Sequence, residues 1–169
     1  IKHTLPPFVR HNGHALSPFN AGVMRKGLET LALRVEAMTR NAAAVADYLA
    51  AAPGIASVRY PGRKDHPQYA LAQRQMTGGG TMVAFEVAGG QEGAFAFMNA
   101  LNLIAISNNL GDARSLVTHP ATTTHMQIGE AERAKPGSSE GALRVSGGLD
   151  DSADLVGDLA RGVAALANA

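Results

Sequence analysis

The sequence predicts an α+β domain: one sheet with helices packed on one face, preceded by a long linking helix. Three observations predict it. Strand-length apolar runs alternate with helix-length amphipathic stretches over residues 55–169, in the order strand, helix, strand, helix, strand, loop, strand, helix. In residues 81–87, Val83, Phe85 and Val87 share one side while Met82, Ala84 and Glu86 share the other, as in a sheet buried mainly on one face. Before these strands, Val35, Met38, Ala42, Val45 and Leu49 are spaced alternately three and four apart, which is one continuous helix face. A chain of 169 residues with 46% apolar side chains can build a core without disulfide or metal staples.

Each element has a local reason. Residues 1–16 hold Pro6-Pro7 and Asn12-Gly13, which interrupt helix and strand alike, and read as an extended connecting arm. Ser17-Pro18 places a capping hydroxyl before a proline at the first helical position, so residues 17–54 read as the linking helix region, kinked near Leu31 to Leu33 and stopped by Pro53-Gly54. Residues 55–169 are the α+β domain. Its strands are expected at 55–60, 81–87, 103–106 and 143–146, with helices at 66–76, after Gly89-Gly90, and after Asp151 or Ser152. The last helix turns Leu155, Leu159, Val163 and Leu166 inward. Residues 115–139 are polar and read as loop, with a short helix expected near 129–134.

Composition excludes several classes of function. A formal net charge of +1 gives no overall pull toward nucleic acid or anionic membrane. Zero cysteines exclude thiol catalysis and cysteine-ligated zinc, and fit a reducing compartment. No apolar run approaches the length of a bilayer span. The chain starts at Ile1 without a signal-peptide layout, and the expectation is a piece of a longer protein.

Arg144 is the most suggestive residue. Leu143 and Val145 face one side of its strand while Arg144 and Ser146 face the other. A guanidinium on a stiff strand is a good clamp for a carboxylate, because its donor fork is planar and always charged. Pattern alone favours a solvated rim arginine. Asn108 and Asn109 follow an apolar strand and precede Gly111, where side-chain amides suit either ligand binding or a turn. The run from His119 to His125 gathers hydroxyls and imidazoles, consistent with substrate binding, with a general base, or with local bonding to backbone. His11 and His14, with His3 nearby, lack a further ligand in register, and no metal site is expected. The glycine clusters lie in the wrong context for a phosphate loop, and no nucleophile–base order or paired-carboxylate pattern stands out.

Taken together, S-P-F-N-A (Ser17 to Ala21), K-G-L-E-T-L (Lys26 to Leu31), Y-P-G (Tyr60 to Gly62), N-L-G-D-A-R-S-L (Asn109 to Leu116), H-P-A-T-T-T-H (His119 to His125) and R-V-S-G-G-L-D-D (Arg144 to Asp151) resemble the C-terminal part of the Cys/Met-metabolism pyridoxal-phosphate enzymes. The words keep that family's order across almost the whole chain. Within it, the opening I-K-H-T-L-P-P-F-V-R-H and the central I-S-N-N-L-G-D-A look most like O-succinylhomoserine sulfhydrylases, and Asn109 stands where lyases and synthases more often carry serine.

The resemblance implies the small C-terminal domain of a fold-type I pyridoxal-phosphate enzyme. The implied activity is γ-replacement on O-succinylhomoserine or O-acetylhomoserine with sulfide, making homocysteine in methionine biosynthesis. Cystathionine γ-synthase, cystathionine γ-lyase and methionine γ-lyase are the family alternatives, and a non-catalytic carboxylate-binding or assembly module is the alternative outside it. It also implies that Arg144 clamps the α-carboxylate of an amino-acid substrate, that Asn109 contacts the same group, and that Thr124 borders the pocket. The family's Schiff-base lysine, in a Ser-x-Thr-Lys-type segment, has no match here, so the chain by itself is expected to be inactive, to carry no cofactor-binding residue, and to leave pyridoxal phosphate bound mainly by an upstream domain. The intact protein is expected to be a cytoplasmic homo-oligomer, dimer or tetramer. Gly22, Gly147 and Asp150 depart from a usual aromatic, valine and glutamate, which bears on helix packing rather than on the pocket.

Overall fold

The computed structural model describes residues 5–12, 16–126 and 139–167, with side chains left out at 10–12. Two compact units divide the chain, residues 1–33 and 34–169. The first contains α1 (Leu5–Asn12) and α2 (Pro18–Leu28). The helix at α1 corrects the expected extended arm. Pro6 and Pro7 lie in its first turn, where the backbone N–H groups they lack would have no helical partner. α2 starts as expected: Ser17 is its N-cap, and the Ser17 hydroxyl accepts the Asn20 N–H at 3.2 Å. None of its residues is buried.

Instead of one kinked helix, α2 and α3 (Leu31–Ala51) are separate, parted by a turn at Glu29 and Thr30. The core stripe of α3 is Met38, Ala42, Val45, Ala46 and Leu49, while Val35, at the expected spacing, is 41% exposed.

The second unit continues with β1 (Ile55–Arg59), α4 (Tyr69–Gln75), β2 (Met82–Val87), α5 (Gly90–Asn99), β3 (Ala105–Ile106), β4 (Leu116–Thr118), β5 (Ala142–Ser146) and α6 (Ser152–Leu166). β4 corrects the sequence reading: the polar stretch after residue 115 opens with a strand buried throughout and then makes a 3-10 turn at Pro120–Thr122. The helix expected near 129–134 lies outside the described residues.

The sheet has five strands in the order β1-β2-β5-β4-β3. All neighbours are antiparallel except β3 and β4. Register assigns its two faces. Val83, Val145 and Val117 lie opposite one another, as do Phe85 and Leu143, and this side joins Val45, Leu49, Phe97, Leu155 and Leu159 in the core. Helices therefore cover one face, as the alternation predicts. On the other face, Ala84 pairs with Arg144, and Arg144 with Thr118.

Tyr60, from the Y-P-G word, is structural. Its ring is buried and its hydroxyl donates toward the Gly80 carbonyl at 3.0 Å, tying the end of β1 to the segment before β2. Burial, assisted by Asp47, pushes the phenol's pKa up.

Candidate functional site

Arg144 emerges on the sheet face opposite the core because strand side chains alternate and Leu143 and Val145 are committed to the helices. It is half-buried, and its Nη2 donates to the backbone carbonyl of Asn108 at 3.4 Å. Among the described residues, that bond occupies one of the fork's five N–H donors. The bend carrying Asn108 is itself tied down. Ser146 Oγ accepts the Gly111 N–H at 2.9 Å, and Ser107 Oγ accepts the Asn109 N–H at 3.2 Å. Gly111 has φ +77°, a conformation that suits glycine and lets the chain turn back toward β5.

Further along, a clasp closes behind the bend. Ser115 donates through both its N–H (2.9 Å) and its hydroxyl (2.7 Å) to Asp150 Oδ2, and its hydroxyl accepts the Gly148 N–H at 2.9 Å. Asn41 of α3 donates to the carbonyls of Gly148 and Asp150. A Cβ on Gly148 would lie 2.4 Å from the backbone of Arg114 and Ser115, so the glycine word after Ser146 is a close backbone approach. At Gly147, a Cβ would press on the α3 backbone at Met38 and Ala42, 3.3 to 3.4 Å away.

Of the sequence-predicted site residues, the structure brings together Arg144 and the Asn108–Asn109 bend. The group that meets the guanidinium is the Asn108 carbonyl, and the side chain of Asn109 is exposed. Thr124 is also exposed, and it follows a turn whose Thr123 hydroxyl donates to the His119 carbonyl at 2.7 Å and lies 3.0 Å from that of Thr118. Thr118 is the cross-strand partner of Arg144, which places the threonine run beside the arginine.

His119 is buried with both ring nitrogens engaged, Nδ1 with Thr122 Oγ1 at 2.9 Å and Nε2 with the Glu140 carbonyl at 2.8 Å. That arrangement staples two loops and does not free a general base. No group of three or more metal-ligating side chains exists among the described residues. The side chains of His3, His11 and His14 lie outside them.

A cleft of about 200 Å³ runs along this face, lined by Ser57, Arg59, Glu86, His125 and Arg144 among others. Arg59 and Arg144 bring two guanidinium groups to this lining and Glu86 a carboxylate. The described residues do not fit pyridoxal phosphate. Among the described residues of the second unit the one lysine, Lys64, lies beside Asp47 and Asp65 and does not line the cleft at Arg144. No chemical step is assigned to pyridoxal phosphate on this chain.

A half-buried arginine on the sheet face opposite the helices, resting against a bend tied down by hydroxyls, defines the class: an α+β domain with an arginine-lined cleft on one sheet face. Comparison with known proteins places it further. The sequence matches the family described as Cys/Met metabolism PLP-dependent enzyme over residues 1–164, and the chain belongs to that family. It is 50% identical to an O-succinylhomoserine sulfhydrylase of Mycobacterium tuberculosis over 90% of the chain and 39% of the relative. It is 45% identical to an O-succinylhomoserine sulfhydrylase of Pseudomonas aeruginosa over 94% of the chain and 40% of the relative. An L-methionine gamma-lyase of Pseudomonas deceptionensis is 44% identical over 92% of the chain and 39% of the relative.

Among solved structures, a cystathionine gamma synthase from Xanthomonas oryzae pv. oryzae matches with TM-score 0.85 and 38% identity, over 90% of this chain and 39% of that one. A putative O-acetylhomoserine (thiol)-lyase from Campylobacter jejuni, which carries N'-pyridoxyl-lysine-5'-monophosphate, matches with TM-score 0.87 and 35% identity, over 93% and 38%. The fold is that of the fold-type I pyridoxal-phosphate enzymes. The chain spans about two-fifths of the length of the curated relatives it matches.

Proposed function

We propose that this chain is the substrate-carboxylate part of a pyridoxal-phosphate-dependent sulfhydrylase that makes homocysteine from O-succinylhomoserine, or O-acetylhomoserine, by γ-replacement with sulfide. The observation that carries the reading is Arg144, half-buried on the sheet face opposite the helices and resting against the Asn108 carbonyl. Its guanidinium takes the α-carboxylate of the amino acid through two parallel N–H donors. The carbonyl contact limits the swing of the fork, so the acid end, and with it the direction of the Cα–H bond, is held in one orientation. Asn109 and Thr124 border the bound carboxylate. Pyridoxal phosphate supplies the electron sink when bound by the intact protein, mainly outside the residues described. The same reading makes the intact protein a cytoplasmic homo-oligomer.

Two relatives at 45% and 50% identity that are O-succinylhomoserine sulfhydrylases support that member of the family, as does Asn109. A γ-lyase or γ-synthase is the second reading, favoured by the gamma-lyase relative at 44% and the gamma-synthase structure at 38%. The test is an assay of the full-length protein on O-succinylhomoserine with sulfide or cysteine, and on methionine alone. Homocysteine formed with sulfide is the expected result. Cystathionine from cysteine, or elimination from methionine, as the dominant reaction would transfer the assignment to the second reading. In the same assay Arg144→Ala should lower kcat/KM about 10- to 150-fold, since a charged group losing its partner forfeits about 1.5–3 kcal/mol. A near-normal kcat/KM would remove the arginine's role.

A further inference from the structure

Asp158 is a buried carboxylate that the proposed chemistry does not use. It lies on α6, the same helix that gives Leu155, Leu159 and Val163 to the core, and it has no solvent exposure. A charge so placed needs full compensation. Oδ1 accepts the Asn102 N–H at 2.8 Å, and Oδ2 accepts those of Leu103 at 3.0 Å and Ile104 at 2.8 Å. Arg161 Nη2 completes the set on Oδ1. Three successive backbone donors thus converge on one side chain from 54 to 56 residues away.

The segment so gripped leads directly into the site. β3 follows it, an edge strand of two residues, tied to β4 by Ala105 N–H to Ser115 O at 3.0 Å and Ser107 N–H to Val117 O at 2.9 Å. A ladder of two residue pairs holds register weakly, and a slip of one residue would reverse every side chain. Asn108, whose carbonyl meets Arg144, comes immediately after Ser107. Downstream the chain is held again where Gly111 N–H meets Ser146. Residues 105–110 are therefore strung between two anchors, Asp158 before and Ser146 after.

We infer that Asp158 is a positioning residue for the carboxylate clamp: its grip on residues 102–104 sets the register of β3 and so places the Asn108 carbonyl against which Arg144 rests. Ionised, the carboxylate is acceptor-only and serves all its donors at once, whereas an amide in its place would turn an NH₂ group toward backbone N–H groups. The inference deepens the proposed function and rests on it.

The experiment uses the full-length holoenzyme and compares wild type, Asp158→Asn, Leu155→Ala and Arg144→Ala by steady-state kinetics and thermal melting. Asp158→Asn is expected to raise KM for the amino-acid substrate roughly tenfold, the factor that about 1.4 kcal/mol represents, with kcat changed far less. Leu155→Ala, which weakens the same helix without touching the loop, should lower Tm and leave KM in place. If Asp158→Asn lowers Tm and leaves KM at the wild-type value, the residue is structural only and the inference is overturned. Should that variant not fold, Arg161→Ala strips the cation while keeping the backbone bonds, and is expected to raise KM about twofold to threefold by loosening the carboxylate. An unchanged KM there is equally decisive against the inference. Arg144→Ala separates the two ideas: no KM effect from it removes the carboxylate-clamp reading itself. An effect from Arg144→Ala with none from the Asp158 or Arg161 variants removes the positioning role alone.

Discussion

Ser146 stands two residues beyond Arg144 on the same side of β5, almost fully buried, with its hydroxyl accepting the Gly111 N–H. Ser146→Ala deletes that acceptor while keeping the strand. A neutral hydrogen bond of this kind contributes about 1 kcal/mol net, so a modest fall in the urea midpoint is expected. A larger relative effect should appear in KM, rising several-fold, because the bend that presents Asn108 loses one anchor. Unchanged KM in Ser146→Ala would mean that the bend holds itself. The orientation of Arg144 and Ser146 was legible from the alternation of residues 143–146, since a strand repeats every two residues. Their partners were not. Asn108 and Gly111 lie 36 and 35 residues away, and nothing local to β5 names them.

Helices α5 and α6 meet where Gly162 passes beneath Phe97. A Cβ on Gly162 would approach the Phe97 ring to 2.9 Å. That ring is fully buried and packed edge-on against Phe85, with centroids 5.4 Å apart, so it has little room to yield. Gly162→Ala should therefore destabilise by about 1–3 kcal/mol, the usual cost of overpacking, even though alanine is the better helix former. Gly157, on the same helix, has nothing within 4 Å of its would-be Cβ. Gly157→Ala should stabilise by up to about 1 kcal/mol, and paired urea midpoints check both signs. The long amphipathic helices announce themselves by period. The short elements do not: β4 is three residues inside a polar stretch, made a strand by the sheet on both sides of it. Likewise α1 forms with two prolines in its first turn, where composition alone reads as a break.

For the whole molecule, acid should be the weakness. Burial alone would raise the pKa of Asp158, but the N–H donors of Asn102, Ile104 and Leu103, with Arg161, outweigh it and hold the carboxyl below its ordinary 3.8. Asp65 is lowered too, chiefly by its bond to Arg63, but it is exposed and solvent screens its share. A carboxylate whose folded pKa lies below its unfolded value contributes stability above the unfolded value and loses it as pH falls through the folded one. Urea midpoints should therefore decline from about pH 5 downward and keep declining below pH 3.8. In Asp158→Asn the decline should be shallower over that range, and equal slopes would show that the buried carboxylate does not govern it. No described helix is long and apolar enough to cross a membrane, in keeping with the short apolar runs of the sequence.

By itself the sequence determined the α+β class, the faces of the long helices, the capping of α2, the side of β5 on which Arg144 stands, and the family. Each depends on residues a few positions apart, or on words that keep their order along the chain. Only the tertiary structure decided that a backbone carbonyl of Asn108 meets the guanidinium, that β4 exists, and that Asp158 grips residues 102–104. Those outcomes join groups from 36 to 56 residues apart, or rest on strands that need neighbours on either side. Packing selects such partners by burial and by the need to satisfy every buried polar group, and local periodicity carries no record of either.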